Sequence, residues 1–581
     1  MGKILVATGL ESKKKIELKE LLFLGDWCLN NNIDTNRFDV VNYHWNDRKK
    51  LFQDYKKLER VYELFLQILS DSLNKYHCKN LPISYWRILI GPWLETFIHT
   101  IFDRWEMMNK ANKEYKINSM LSFINPKMEY FIPYDFDDYY LKIKSHNWNQ
   151  FIYTYIGEFI NINQIESIEL SLDNFKKRNY KNDFIKLCNV ISNKINSKKN
   201  IFIYSRSIDF KSYLQMQFLL KQFPTIWNKV LSPRIFPNMN SRSKLLKGIK
   251  FDQDSFCKLL VNLIPIQIPT IYLEGFLELN EYSRIFLPSS SKLVVDSIAW
   301  FTDDVFKNWI ALKKISSNTK YIISQHGGNY GTSLFNSTEE HQISISDSFL
   351  SWGWKDKRSK VLNLGTFNYQ KQKILKKQKK IKLKIILIQG LNPKYSNFIF
   401  ASPISTCQWR SYLNDQERFI KLLDKDIKKS LTIKLYKNNF QYDEESFFRK
   451  SFPNVKIYSK PKSLLNIINS FSIVVATYNA TTFLETLMIN FPTIIFWNNN
   501  HWELRDESKS FFNKLRQVGI FHDSSDSAAE FINRVSNDIS GWWFSKELQI
   551  VREEFVKNYA KKITLKELSD HLKNYVEYKK K

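Results

Sequence analysis

Residues 321–331 read YIISQHGGNYG, and this short stretch decides how the rest of the chain is interpreted. An apolar, β-branched run ends abruptly in Gln325-His326-Gly327-Gly328. The pattern is typical of a buried parallel strand that carries a histidine and a glycine-lined backbone to its carboxyl end. Because ligands of open α/β sheets bind at that edge, the stretch predicts a ligand site there.

The histidine and the two glycines favour a phosphorylated ligand. Gly327 and Gly328 would let a phosphate or a sugar approach the backbone closely. The imidazole of His326 could donate to a phosphate oxygen or act as a general base near neutral pH. A tight turn that carries a structural histidine is the alternative interpretation.

A second strand end with the same character lies in 472–485, SIVVATYNATTFLE. Small and hydroxyl residues follow an apolar run where a helix is predicted to begin, and the free N–H groups of a helix start suit an anion. A carboxylate on the first turns could accept a hydrogen bond from a ribose hydroxyl. Ordinary helix capping by Asn479 or Thr481 would explain the same pattern. The candidate donor-binding residues of this segment are Thr477, Asn479, Thr481, Thr482 and Glu485.

Further candidates are single charged side chains near predicted strand and helix ends. Lys434 and Lys437 could hold a diphosphate by charge, and Arg410 precedes a predicted helix in the same half of the chain. In a chain this rich in lysine, solvated side chains are the alternative. Glu11 follows the first predicted strand, where it could deprotonate an acceptor hydroxyl or lie in an exposed loop.

The aromatic segment 84–93 (SYWRILIGPW) is a candidate acceptor surface. Trp86 and Arg87 could contact a sugar there, and a buried wall is the alternative interpretation. The segment 501–505 (HWELR) has the wrong spacing for an HExxH zinc site, and the five cysteines are scattered. The sequence therefore predicts neither a metal site nor a disulfide framework.

The composition and net charge of the chain are compatible with several classes of binding partner. The chain has 581 residues and a net charge of 87 − 58 = +29. No window reaches roughly 18 uninterrupted apolar residues, and the start MGKILVATGL indicates a strand, not a signal peptide. The positive charge would suit nucleic acid, an anionic membrane surface or a solvated lysine coat, and no nucleic-acid-binding signature accompanies it. We therefore expect a soluble, cytoplasmic protein.

Strand and helix patterns alternate along both halves, which predicts an α/β fold with parallel sheets. The region 105–200 is harder to interpret and is expected to contain helices with long loops. Strands are predicted at 3–8, 201–204, 292–296, 321–325, 385–388, 431–435, 473–476 and 493–496. The predicted domains are an acceptor-side Rossmann-like domain with a helical insertion (1–370), a basic linker (371–384), a donor-binding Rossmann-like domain (385–545) and a helical tail (546–581).

Several segments together resemble a family of O-antigen or surface-polysaccharide transferases first described from spirochaetes. They follow one another through nearly the whole chain, which makes the resemblance more specific than any single motif. The segments are 22–28 (LFLGDWC), 43–51 (YHWNDRKKL), 85–94 (YWRILIGPWL), 324–331 (SQHGGNYG), 349–354 (FLSWGW), 476–487 (ATYNATTFLETL), 519–522 (GIFH) and Trp542-Trp543.

That family looks related to the GT-B glycosyltransferases and, more distantly, to capsule and teichoic-acid transferases with a comparable His-Gly element. The resemblance implies two Rossmann-like domains that face each other across a cleft, with the nucleotide-activated donor on the second and the acceptor on the first. It also implies that basic side chains and a helix N-terminus hold the diphosphate, so that neither a metal nor a separate cofactor is needed. His326 and 477–485 are the positions that it assigns to the site.

We therefore expect a transferase that moves a sugar, or a sugar-like alcohol phosphate, from a nucleotide donor to a surface glycan or its lipid carrier. Its expected location is the cytoplasm, with peripheral contact to the anionic inner membrane as an option and no nucleic-acid partner. One alternative is a nucleotide-sugar epimerase or hydrolase on the same fold. Another is a non-catalytic protein, either a transferase-like scaffold or a basic protein that binds polyanions or membranes.

Overall fold

The computed structural model describes residues 2–29, 38–170, 182–195, 198–204, 208–370, 372–376, 382–390, 393–436, 443–460 and 462–577. The described strands form three sheets of four, five and six strands. Every pairing within these sheets is parallel. The predicted α/β class with Rossmann-like parallel sheets is thus confirmed.

The first sheet has the order β2-β1-β3-β4 and lies under long helices. Its strands are β1 (Lys3–Val6), β2 (Leu21–Phe23), β3 (Ile117–Phe123) and β4 (Asn163–Ile168). Its helices are α1 (Arg48–His77), α2 (Ile83–Leu89), α3 (Gly91–Glu114), α4 (Phe136–Lys142) and α5 (His146–Phe159). The Asp47 carboxylate caps α1 by accepting from two backbone N–H groups.

The second sheet has the order β5-β6-β7-β8-β9 and carries the His-Gly-Gly segment. Its strands are β5 (Lys198–Ile203), β6 (Ser290–Asp296), β7 (Lys320–Ser324), β8 (Ser348–Leu350) and β9 (Val361–Leu362). The accompanying helices are α6 (Asn182–Ile195), α7 (Phe210–Leu219), α8 (Met239–Arg242), α9 (Ser255–Gln267), α10 (Phe276–Phe286), α11 (Ala299–Thr302), α12 (Asp304–Ser316) and α13 (Ser337–Ile345).

The third sheet has the order β12-β11-β10-β13-β14-β15. Its strands are β10 (Ile385–Ile388), β11 (Leu431–Lys434), β12 (Lys456–Tyr458), β13 (Ile473–Ala476), β14 (Thr493–Phe496) and β15 (Phe521–His522). Its helices are α14 (Thr406–Leu422), α15 (Lys425–Lys429), α16 (Glu444–Ser451), α17 (Leu464–Ile467), α18 (Thr481–Met488), α19 (Asp506–Gln517), α20 (Ser525–Val535) and α21 (Ile539–Trp543).

The predicted helical tail is two helices, α22 (Lys546–Tyr559) and α23 (Leu565–Glu577). Helix α22 packs against α18 and α19 of the third unit, whereas α23 packs against α7 of the second. Leu568 and Leu572 of α23 are buried in the core beneath the second sheet. The carboxyl-terminal segment therefore ties the second and third units together.

The three units share one continuous core. A single cluster of buried side chains runs from Leu5 of the first sheet through Phe349 of the second to Phe483 of the third unit. The guanidinium of Arg48 also makes two hydrogen bonds, of 2.7 and 2.8 Å, to the Glu503 carboxylate. The first and third units are therefore joined by apolar packing and by a charge-assisted bidentate contact.

One sequence-based expectation about the first 200 residues was incomplete. Residues 105–200, where helices with long loops were expected, also contribute β3 and β4, so residues 1–370 carry two of the described sheets. The aromatic segment is helical, and Gly91-Pro92 opens α3 because a proline fits the first turn of a helix. The predicted linker 371–384 falls between β9 and β10, with 371 and 377–381 outside the described residues.

Within the described ranges, no helix combines the length and the apolar character needed to cross a membrane.

Candidate functional site

Gln325 shapes the loop that follows β7. Its side-chain oxygen accepts from the Trp352 backbone N–H and from the Trp354 indole N–H, both at 2.8 Å. Its amide nitrogen donates to the Gly327 carbonyl at 2.7 Å. The Trp352 indole N–H also donates to the Gln325 carbonyl. The buried glutamine thus fixes the backbone on which His326 and the glycines are presented.

The two strand ends singled out by the sequence meet in the structure. The Gly328 N–H donates to Thr481 Oγ1 at 2.8 Å, which joins the second unit to the start of α18 in the third. A Cβ at Gly328 would lie 2.1 Å from the Ala480 carbonyl carbon and 2.4 Å from the Thr481 nitrogen. Only glycine permits this approach. The start of α18 therefore occupies the place beside Gly328 where a phosphate or sugar was predicted to approach the backbone, which corrects that prediction for Gly328.

The imidazole of His326 lies at the opening of this junction. Its side chain is exposed, and Nδ1 is 3.4 Å from the hydroxyl of the buried Tyr330. The Gln342 side-chain amide donates to that hydroxyl at 2.6 Å, so the phenol is fixed behind the ring. The surrounding protein excludes part of the water that would solvate an imidazolium. This desolvation lowers the pKa of His326, although the residue keeps an exposed surface. A neutral, accessible imidazole results.

Thr477 and Asn479 lie inside the protein and not on its surface. Both side chains are 1% exposed. Thr477 Oγ1 donates to the Ile388 carbonyl and is 2.5 Å from the Tyr412 hydroxyl. Asn479 Oδ1 accepts from the Thr332 hydroxyl at 3.2 Å. The prediction that these two side chains contact the nucleotide donor is thus corrected. Thr477 joins β13 to β10, and Asn479 joins the third unit to the second.

Helix capping does not explain the hydroxyl residues at the start of α18. The N-cap is Ala480, which makes no side-chain hydrogen bond to the first turn. Thr481 accepts from the second unit instead, and Thr482 Oγ1 is 2.6 Å from the Tyr478 hydroxyl. Thr482 and Tyr478 remain half-buried at the sheet edge, where a ligand can reach them.

Glu485 is one turn further along α18 and is half-buried. The Tyr369 hydroxyl donates to Glu485 Oε1 at 2.8 Å. Burial raises the pKa of the Glu485 carboxyl to about 7, and the hydrogen bond from Tyr369 opposes this rise. The group therefore changes between acid and carboxylate near neutral pH.

Glu485→Gln is expected to stabilise the protein at alkaline pH. The folded carboxyl has a pKa of about 7 against an ordinary 4.5, so wild type loses stability as the pH rises through that window, whereas the amide does not. The difference should be near zero at about pH 4.5 and reach at most about 3 kcal/mol, or about 2 °C in melting temperature, by about pH 8. Melting curves of both proteins across this range check it, and a difference independent of pH would contradict it.

The basic candidates of the third unit lie apart from one another. Lys434, at the end of β11, places its ammonium 5.4 Å from the Tyr458 ring centroid, and burial lowers its pKa. The charge of Arg410 acts on the Asp26 carboxyl, whose pKa it lowers against a larger rise caused by burial. Arg410 thus faces the first unit and not α18. Lys437 lies outside the described residues.

The candidates of the first unit differ in accessibility. Glu11 is exposed beyond β1 and makes no hydrogen bond or ion pair with the described residues. Arg87 makes a two-armed contact with Glu63, at 2.5 and 2.7 Å. Trp86 is completely buried and donates to Asn74 Oδ1. The prediction that Trp86 contacts a sugar is therefore corrected, and the alternative interpretation, a buried aromatic side chain, holds.

A cluster with metal-ligand chemistry lies elsewhere in the first unit. The ligand atoms of His44, Asp54 and Glu106 lie within 4.8 Å of one another. The Lys50 ammonium, however, is 2.5 Å from Asp54 and 2.8 Å from Glu106. Because that ammonium already forms an ion pair with both carboxylates, the cluster has a counter-charge without a metal ion.

Sequence reasoning missed three residues that build the site: Gln325, Tyr369 and Tyr412. Tyr412 accepts from the Gly390 N–H at 2.7 Å and contacts Thr477, so it links two strand ends of the third sheet. No local pattern marks Tyr369 or Tyr412, because each acts on a partner distant in sequence. Gln325 alone had a signal, since a polar residue directly after a buried strand is rarely without a partner.

These parallel sheets and the site at their carboxyl edges define a Rossmann-like α/β protein. The model of the LIC12162 family transferase matches residues 3–572, so the chain belongs to this transferase family and the predicted resemblance is confirmed. No curated protein matches the chain. Among solved structures, MurG from Acinetobacter baumannii is similar at 9% identity and a TM-score of 0.31, with 65% of this chain and 99% of that chain covered.

Proposed function

We propose that this transferase is a GT-B-like glycosyltransferase. It moves a sugar, or a sugar-like alcohol phosphate, from a nucleotide-activated donor to a precursor of a surface polysaccharide such as O-antigen. The observation that carries the proposal is the contact of Gly328 with Thr481 at the start of α18, which joins the loop of the exposed His326 to a helix N-terminus. One group can accept a proton where the other can hold an anion.

In this proposal the donor lies along the third sheet. The N-terminus of α18 and the half-buried Thr482 face its diphosphate, and the dipole of the helix favours the charge that develops on the departing phosphate. Glu485, oriented by Tyr369, accepts from a ribose hydroxyl. Lys434 is the cation at the neighbouring strand end that could approach the same diphosphate. No metal and no separate cofactor is required by this arrangement.

The acceptor hydroxyl is activated by His326. The neutral ring takes the proton as the hydroxyl oxygen attacks the transferred group. Transfer of a sugar breaks its bond to the nucleoside diphosphate, whereas transfer of an alcohol phosphate breaks the phosphoanhydride bond and releases a nucleoside monophosphate. Glu11, exposed after β1, is the second candidate base, as the sequence predicted. The acceptor is a glycan or a lipid-linked glycan, so the basic chain would work in the cytoplasm beside the anionic inner membrane.

Thermal-shift screening against nucleotides and nucleotide sugars tests the donor class. A ligand at 100 times its Kd should stabilise the folded protein by about 2.7 kcal/mol. We expect a shift that depends on the base and is weakened in Glu485→Ala, which loses the proposed ribose contact. Exposed Lys450→Met serves as the matched control and should bind as wild type does. Absence of any nucleotide-dependent shift would contradict the proposal.

Two further assays separate the alternatives. An epimerase or hydrolase would convert the nucleotide sugar without an acceptor, which mass spectrometry of the donor detects. A basic binding protein would instead bind polyanions or anionic vesicles with an affinity that falls steeply as salt is added. Binding that depends on the nucleotide base and little on salt would exclude a basic protein that only binds polyanions or membranes.

A further inference from the structure

A second cluster of polar groups lies where the carboxyl end of β1 meets the loop that follows β10. It is formed by Gly9, His146, Lys394 and Tyr395, which come from the first and third units. The Tyr395 hydroxyl and the Gly9 N–H lie 2.6 and 3.3 Å from Nδ1 of His146. The Lys394 ammonium lies 3.4 Å from Nε2 of the same ring. No role was assigned to this cluster above.

The hydrogen-bond pattern fixes the tautomer of His146. A backbone N–H can only donate, so Nδ1 must accept from Gly9, and a neutral ring then carries its proton on Nε2. Burial and the nearby Lys394 charge lower the pKa of His146, which keeps the ring neutral. Nε2–H and the ammonium therefore face each other as two donors with no acceptor between them.

The charge of Lys394 is also unbalanced. The side chain is 6% exposed, and a buried ammonium without a partner is strongly unfavourable. Among the described residues, His146 and Cys28 are the titratable groups that act on it or are acted on by it, and no carboxylate is among them. The Cys28 thiol is itself a donor, to the Val6 carbonyl. An anionic oxygen is the group that this arrangement lacks.

We propose that Lys394 Nζ and His146 Nε2 together bind a phosphate oxygen of a ligand held between the first and third units. Phosphate is favoured because the cluster lies at the carboxyl edge of two parallel sheets, where folds of this class bind phosphorylated ligands. The site differs from the junction of Gly328 with Thr481, and it stands whether or not the chain transfers a sugar. The ligand is free phosphate, a nucleotide diphosphate or the pyrophosphate of a lipid-linked acceptor.

Titration calorimetry of the full chain with inorganic pyrophosphate tests the site. Lys394→Met keeps the apolar stem without the charge, and His146→Asn keeps an acceptor for Gly9 near the Nδ1 position without a group that reaches the Nε2 position. Each variant is expected to weaken pyrophosphate binding at least tenfold. Lys450→Met removes an exposed lysine from α16 and should bind as wild type does. Circular dichroism and melting curves establish folding, and His146→Asn carries the test if Lys394→Met does not fold.

Several outcomes would overturn the proposal. Wild type that binds no pyrophosphate would mean that a neutral Lys394 simply accepts from His146. Undiminished binding by both folded variants would place the anion elsewhere, and equal affinity for acetate would remove the assignment to phosphate. Titrating the same variants with a nucleoside diphosphate and with a short isoprenyl pyrophosphate identifies which molecule supplies the phosphate. The affinity of the natural ligand class should fall more in the variants than the affinity of free pyrophosphate does.

Discussion

His326→Ala is expected to lower turnover by about 10²–10⁴-fold while leaving the melting temperature unchanged. The residue is exposed, and the Tyr330 hydroxyl 3.4 Å from its ring keeps a hydrogen bond from Gln342, so its removal should leave neither a cavity nor an unpaired buried group. The loss should therefore appear in kcat with little change in the affinity for the donor. Transfer to a synthetic acceptor, measured beside thermal shifts with the donor, checks both parts.

The pH dependence of transfer distinguishes a base from a structural histidine. Because desolvation by the surrounding protein lowers the pKa of His326, the ring stays neutral below the usual range of histidine. The acid limb of kcat/KM should therefore fall below about pH 6.5, with activity lost as the pH drops through the pKa. The limb should be absent from the residual activity of His326→Ala.

A matched histidine variant completes this experiment. His571→Ala removes a half-buried ring from α23 and should keep normal turnover. Near-normal turnover in His326→Ala would refute the proposed role, and equal losses in the two variants would point to destabilisation. If transfer stops in Glu11→Ala instead, the base is on the first unit.

The strands that could be predicted from the sequence are those buried on both faces. Residues 385–388 and 473–476 are apolar at every position, 493–496 is apolar after Thr493, and the structure has strands with these same bounds. Such runs are typical of parallel sheets covered by helices. The strands β3 and β4 could not be found in this way, because INSMLSF and NQIESI mix polar residues with apolar ones and are exposed at one end.

The candidate site was predicted in part for a related reason. The segments around His326 and Thr481 stood out because each follows an apolar strand. Their direct contact and the burial of Asn479 depend on how the second and third units pack, and Thr477 is held by contacts within the third unit. A hydroxyl residue near a helix start gives the same sequence pattern whether it binds a ligand or contacts another loop. Position along the chain cannot separate these cases, since the partner is more than a hundred residues away.

Gly328→Ala is expected to destabilise the protein by about 3 kcal/mol or more, because the new methyl group cannot be accommodated without moving backbone. Its carbon would lie 2.1 and 2.4 Å from the Ala480 carbonyl carbon and the Thr481 nitrogen, which belong to a helix start and not to a flexible side chain. The Gly328 N–H would separate from Thr481 Oγ1 at the same time. Melting temperature and donor binding should fall together.

The neighbouring glycine supplies the control for this prediction. A Cβ at Gly327 would meet only Thr481 Oγ1, at 3.0 Å, and a threonine hydroxyl can move by the few tenths of an ångström required. Gly327→Ala should therefore melt close to wild type. If the two variants are equally stable, the second unit does not contact α18 in solution. If only Gly328→Ala loses stability and nucleotide binding, the His326 loop and the helix N-terminus form one site, because a shift of one backbone displaces the other.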